Sequence, residues 1–293
     1  MLNEKQRPFH TVLLLYLICF AFRILEYFLL RTDQTFLGEA FVHKLLGITV
    51  LFLAVKLYSL KPSDVGLSKQ KAFSKLLIGL GFGIVTFILA YSVEVLIFLI
   101  QGNFNTLNLY ASAYSVEGNI GNQTAFIFFL ICILGNVINV IMEEGIFRGL
   151  FQKLLEGKYT FIISAVLASV LFGLWHIMSP LRSYLDGTMS MGGFIATSIM
   201  LITTSALVGF KFAMMTKLTG NLYMAMGDHF VNNTIVNMLH VISGTGTDEL
   251  MVVRISIAQS VSFIAILLWY IIAKRKKKTE SRLPSTRTKP KTS

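Results

Sequence analysis

Charge is what this 293-residue chain has least of: Asp, Glu, Lys and Arg make up only 14% of it, while hydrophobic residues make up 54%. With a mean hydropathy of +0.68 and long uninterrupted apolar runs, the composition excludes an ordinary water-soluble domain and indicates an integral membrane protein. Cysteine is nearly absent as well. Cys19 and Cys132 both fall inside apolar runs, so they cannot build a disulfide framework and are read as small buried hydrophobes. There is no internal repeat and no stretch that could form a second soluble domain.

The formal net charge of +11 is concentrated at one end, from Lys274 to Lys278 and beyond. A basic cluster beside a membrane helix points to anionic lipid headgroups, and nucleic-acid binding is not inferred. The apolar runs predict a bundle of eight membrane helices, near 11–30, 41–60, 76–100, 124–155, 160–178, 193–215, 220–239 and 252–273. Most of the 26 Lys and Arg then lie in the N-terminal segment, the even-numbered loops and the tail. By the positive-inside rule this places both termini in the cytoplasm of a multi-pass plasma-membrane protein. The first run reads as a retained signal anchor. Residues 101–123 lack any basic residue and read as an external loop over the bundle, 1–278 as a single helical domain, and 279–293 as a disordered basic tail. The last turns of the fourth helix, too long for the hydrocarbon, are expected to emerge as an amphipathic extension.

Against so little charge, the pair Glu143-Glu144 near the end of an apolar run stands out. A carboxylate at the centre of a membrane helix costs about 2.5 to 3.5 kcal/mol on insertion scales, so two together are expected to have a use. On a helix Glu144 and Arg148 share a face, acid first, which is the favourable order for an ion pair. Glu143 lies about 100° away and is left without that cation, free to act as a base. Asn139 and Asn136 extend its face as a polar stripe.

Other polar groups lie at membrane depth. Phe172 and His176 share one helix face, and His229 and Asn233 share another, extended by Asn237. Two histidines, an asparagine and an unpaired glutamate are the parts needed to activate water and to bind an oxyanion. Arg23 and Glu26, three apart, are positioned to pair, whereas Glu94 has no local partner. His10, His43 and His240 sit near helix ends and are expected to face headgroups. Asp228 with Asn232 reads as packing glue, and Gly209, Gly220 and Thr203-Thr204-Ser205 suit close helix approach.

Taken in order, Glu143-Glu144-x-x-x-Arg148, Phe172-x-x-x-His176 and His229-x-x-x-Asn233 resemble the motifs of the CAAX protease and bacteriocin-processing (Abi) family of intramembrane proteases. The run Glu-Glu-Gly-Ile-Phe-Arg-Gly-Leu is especially similar to prokaryotic members, and the resemblance covers roughly 124–239. It implies a helical bundle with an intramembrane polar cavity open to the cytoplasm, hydrolysing a peptide bond in a membrane-associated protein or peptide. Glu143 with His176 would deprotonate water, His229 and Asn233 would hold the oxyanion, and Glu144, Arg148 and Phe172 would shape the site. The family includes members described as metalloproteases and as glutamate proteases. No cofactor is preferred; the alternative is zinc on Glu143, His176 and His229, although the local His-Glu-x-x-His arrangement is absent. A non-catalytic scaffold or bacteriocin immunity protein of the same fold is the second reading, and a proton-coupled transporter the third. The resemblance leaves substrate and oligomeric state open.

Overall fold

The computed structural model describes residues 7–103, 105–112 and 121–280. The basic tail from 281 onward, expected to be disordered, lies outside the described residues. Long apolar runs form long helices, as backbone groups in hydrocarbon must bond internally. The order is α1 (Pro8–Leu25), α2 (Val42–Leu57), α3 (Ala72–Ile100), β1 (Asn105–Leu109), α4 (Phe126–Glu143), α5 (Gln152–Glu156), α6 (Phe161–Trp175), α7 (Met178–Leu185), α8 (Met191–Thr219), α9 (Tyr223–Met238), β2 (Leu239–Ser243) and α10 (Met251–Glu280). Thr160 and Ser190 cap α6 and α8 by accepting from the Ile163 and Gly193 amides. The molecule is an all-α membrane protein with one small sheet.

Among the described residues six segments are long and apolar enough to cross a membrane: Pro8–Gln34, Ala72–Ile100, Phe126–Glu156, Phe161–Leu185, Met191–Thr219 and Met251–Lys276. Of the eight expected spans, those at α2 and α9 fall short of that length, at 16 residues each. α9 packs inside the bundle, whereas α2 keeps an exposed apolar face at Leu45, Phe52, Leu53 and Leu57. The expected amphipathic extension after α4 is also not found. The chain continues from α4 through a π-helical stretch, Glu144–Phe151, into α5, with Leu150, Phe151 and Leu155 fully buried. These residues join the largest apolar core, formed with α1, α2 and α6.

The helices around the site meet through glycines. A Cβ at Gly79 would overlap the Met224 carbonyl, and one at Gly227 would come within 2.6 Å of the Leu76 carbonyl, so α3 and α9 touch backbone to backbone. Gly173 brings α6 onto α8 in the same way. Gly220, by contrast, meets nothing: its φ of 75° closes α8 as a left-handed cap. Thr203 and Thr204 face outward, so they do not serve helix approach.

The 101–123 loop contributes β1, which pairs antiparallel with β2 from Asn105↔Ser243 to Leu109↔Leu239. A two-stranded ribbon is marginal by itself. This one is tied down by Tyr91 Oη donating to the Leu239 carbonyl (2.5 Å) and by Tyr110 stacked on His240 (3.9 Å). Asp248 joins His240 (3.2 Å) to Arg254 (2.6 Å), and Arg254 pairs with Glu94 (2.6 Å). His240 is therefore buried under the ribbon and does not face headgroups.

Candidate active site

Helix α4 delivers Glu143 at its last residue, and the next turn widens into the π-helical stretch. Such turns recur at functional sites because they swing side chains out of the regular α spacing. Glu143 and Glu144 consequently meet different neighbours. Glu144 Oε1 lies 3.3 Å from Arg148 and 2.8 Å from His229 Nδ1. Glu143 has no Lys or Arg within ion-pair distance among the described residues. Its Oε1 accepts from the Trp175 indole N–H (3.1 Å) and its Oε2 from the Asn139 amide (3.1 Å), with His229 Nε2 at 3.6 Å from Oε2. His229 thus bridges the two carboxylates with its two ring nitrogens.

Arg148 is held on several sides. Its Nε donates to the Gly209 carbonyl (3.3 Å), and its guanidinium lies 3.9 Å above the Phe172 ring and 5.4 Å from Phe212. A Cβ at Gly209 would sit 2.6 Å from an Arg148 nitrogen, so α8 reads glycine there to admit the guanidinium. The Phe212 ring stacks on His229 at 5.0 Å. In this way α8, which carries none of the motif residues, supplies two walls of the site.

The residues of the three spaced motifs differ in their contacts. Glu143, Glu144, Arg148, Phe172 and His229 are buried and mutually packed. His176 packs edge-on against Phe172 (4.8 Å), and its Nδ1 lies 2.8 Å from the Phe172 carbonyl. A carbonyl only accepts, so Nδ1 carries the proton and Nε2 is an acceptor. His176 makes no hydrogen bond to Glu143. Asn233 lies one turn beyond His229, half-buried, and accepts from Asn232 (3.0 Å). His176 and Asn233 are the half-buried members.

Several expectations fail for the same reason: the partner comes from another helix. Arg23 and Glu26 do not pair. Glu26 takes the His43 ring and the Val42 and His43 amides, together with Thr32, while Arg23 donates to Tyr27 Oη (3.2 Å). His43 is buried and does not face headgroups. Asp228 is an ion-pair partner of buried Lys211 (2.6 Å) and makes no bond to Asn232. Asn136 leaves the stripe toward Glu143 and donates to Thr234 (3.3 Å) and Cys132 (3.4 Å). Trp175 was missed entirely. Its signal was present, since a buried tryptophan in an apolar helix needs an acceptor for its N–H.

No group of three or more His, Cys, Asp or Glu side chains that could hold a metal ion occurs among the described residues. In this arrangement the Nδ1 atoms of both His176 and His229 are committed, to the Phe172 carbonyl and to Glu144. Both Nε2 atoms are left as acceptors, the arrangement in which an imidazole can face a water or a metal ion.

No curated protein matches the chain, and no solved structure matches it. Residues 124–235 match the family model named Rce1-like, described as type II CAAX prenyl endopeptidase Rce1-like. That stretch runs from the start of α4 through the Glu143-Glu144 turn and α6 to the His229 and Asn233 face of α9, and over this motif-bearing core the chain is similar to the CAAX prenyl endopeptidases.

Proposed function

We propose that the protein is an intramembrane endopeptidase that cleaves a membrane-associated protein or peptide, with Glu143 as the base that activates water. The observation that carries this reading is the asymmetry of the two carboxylates: Glu144 is neutralised by Arg148, whereas Glu143 is held only by Trp175, Asn139 and His229. A carboxylate held by an arginine is a poor base. One held by an indole and an amide keeps a fixed direction with no guanidinium upon it.

In the proposed reaction a water beside Glu143 Oε2 gives its proton to that oxygen as its own oxygen bonds to the scissile carbonyl carbon. Nε2 of His176, an acceptor in this tautomer, would help to orient the water. The carbonyl oxygen becomes an oxyanion facing His229 and Asn233. His229 donates from Nδ1 to Glu144, so it offers a second donor at Nε2 only as an imidazolium. Glu143 then passes its proton to the amide nitrogen as the C–N bond breaks.

Both termini are proposed to be cytoplasmic, with the basic end of α10 against anionic lipid of the plasma membrane. The decisive experiment incubates the purified protein with quenched peptides and membrane-peptide substrates, comparing wild type with Glu143→Gln and His229→Ala. Cleavage by wild type that both variants lose supports the reading. Cleavage that survives Glu143→Gln overturns the base assignment.

A further inference from the structure

The family match begins at residue 124, yet a connected series of side chains from α1 and α2 ends on Glu143. Glu26 accepts from His43 Nδ1, and the other ring nitrogen of His43 faces an Arg23 nitrogen at 3.4 Å. Since Arg only donates, His43 is neutral, protonated at Nδ1, and passes the pull of the Glu26 carboxylate on to Arg23. Arg23 makes no ion pair of its own with a carboxylate among the described residues, and it is buried. Its guanidinium lies instead 4.5 Å over the Trp175 ring, whose N–H donates to Glu143 Oε1. Tyr16 and Phe20 of α1 close on the same indole at 6.3 and 6.1 Å, and His43 at 5.8 Å.

A charge in hydrocarbon is expensive, and a stacked guanidinium with only a relayed counter-charge is a costly way to fill a helix interface. A leucine would pack there without the penalty. What the arginine adds is direction: a planar cation above an indole, anchored by His43 and Tyr27, leaves the ring one orientation and its N–H one target.

We propose that Arg23 is a positioning residue for catalysis, acting through Trp175 to hold Glu143 Oε1 so that Oε2 is presented to water. The inference rests on the reading of Glu143 as the base. It also means that α1 and α2 are part of the working site and that a fragment limited to the family-matched stretch would be a poor enzyme.

The test uses the full-length protein with Trp269→Phe, which leaves Trp175 as its single tryptophan. Arg23→Gln, Arg23→Lys and Glu143→Gln are made in this background, and each is checked for monodisperse elution. Arg23→Gln is expected to shift the Trp175 emission and to lower kcat on the order of 10- to 100-fold with KM little changed, the scale expected when a reacting group is displaced by about 1 Å. Glu143→Gln should shift the same emission, because it weakens the same hydrogen bond. Arg23→Lys, which keeps the cation, should recover part of both effects and tests the idea if the glutamine variant fails to fold. A folded Arg23→Gln with unchanged kcat, or with lowered kcat but unmoved Trp175 emission, overturns the proposal. If the emission of Trp175 responds to both sites while wild type cleaves nothing, the physical coupling stands and the protease reading falls.

Discussion

Adjacent glutamates in one turn are proposed to carry different duties because their neighbours differ. Glu144 sits between Arg148 and His229 Nδ1, so removing Arg148 strands a buried carboxylate. Arg148→Ala is expected to destabilise the fold by about 3 to 5 kcal/mol, far more than Glu143→Gln does, which the yields of monodisperse protein would reveal. Glu143→Gln should instead preserve yield and lower kcat on the order of 100-fold or more. The contrast between Glu143 and Glu144 was legible from spacing, since Arg148 follows Glu144 by one turn. Trp175 and Lys211 were not, because an indole on α6 reaching α4 and an ammonium on α8 reaching Asp228 leave no trace in local order.

At the level of elements, the seam between α3 and α9 sets where His229 stands. Gly79, Gly83 and Gly227 let the two backbones touch, and a Cβ at Gly83 would come within 2.8 Å of Val231. Gly79→Ala should therefore cost about 1 to 3 kcal/mol or more through overpacking, read as a shorter half-life at raised temperature in detergent. It should also lower kcat by shifting His229, whereas Gly81→Ala on the same helix, where a Cβ meets nothing, should do neither. The β1–β2 ribbon has its own control. Burial alone would raise the Asp248 carboxyl, but hydrogen bonds from His240 and Arg254 outweigh it and hold it below its ordinary value of 3.8. Its contribution is thus fully present above that value and is lost as pH falls through the lowered one. Amide exchange of 239–243, corrected for intrinsic rates, should stay slow at neutral pH and accelerate only below about pH 4. Asp248→Asn should show the faster exchange already at neutral pH. None of this ribbon was foreseen, as its strands are five residues each and lie 130 residues apart in order, with no hairpin turn to announce the pairing.

For the whole molecule, an even number of crossings, six among the described residues or eight if α2 and α9 are counted, predicts that the chain returns to the side on which it began. Cysteine labels placed at residue 3 and after residue 278 should react from the same face in oriented vesicles, and labelling from opposite faces would sink the topology. Hydropathy alone determined that this is a helical membrane protein, because a bilayer leaves an apolar chain little choice but helix. Order and spacing along α4, α6 and α9 likewise determined which residues to watch. The sequence did not determine that α9 is enclosed, which carboxylate meets which cation, or that α1, α2 and α8 wall the candidate site. Those outcomes depend on lateral packing between distant segments, where a glycine admits a backbone or an arginine finds a ring, and only the tertiary structure brings such partners within reach.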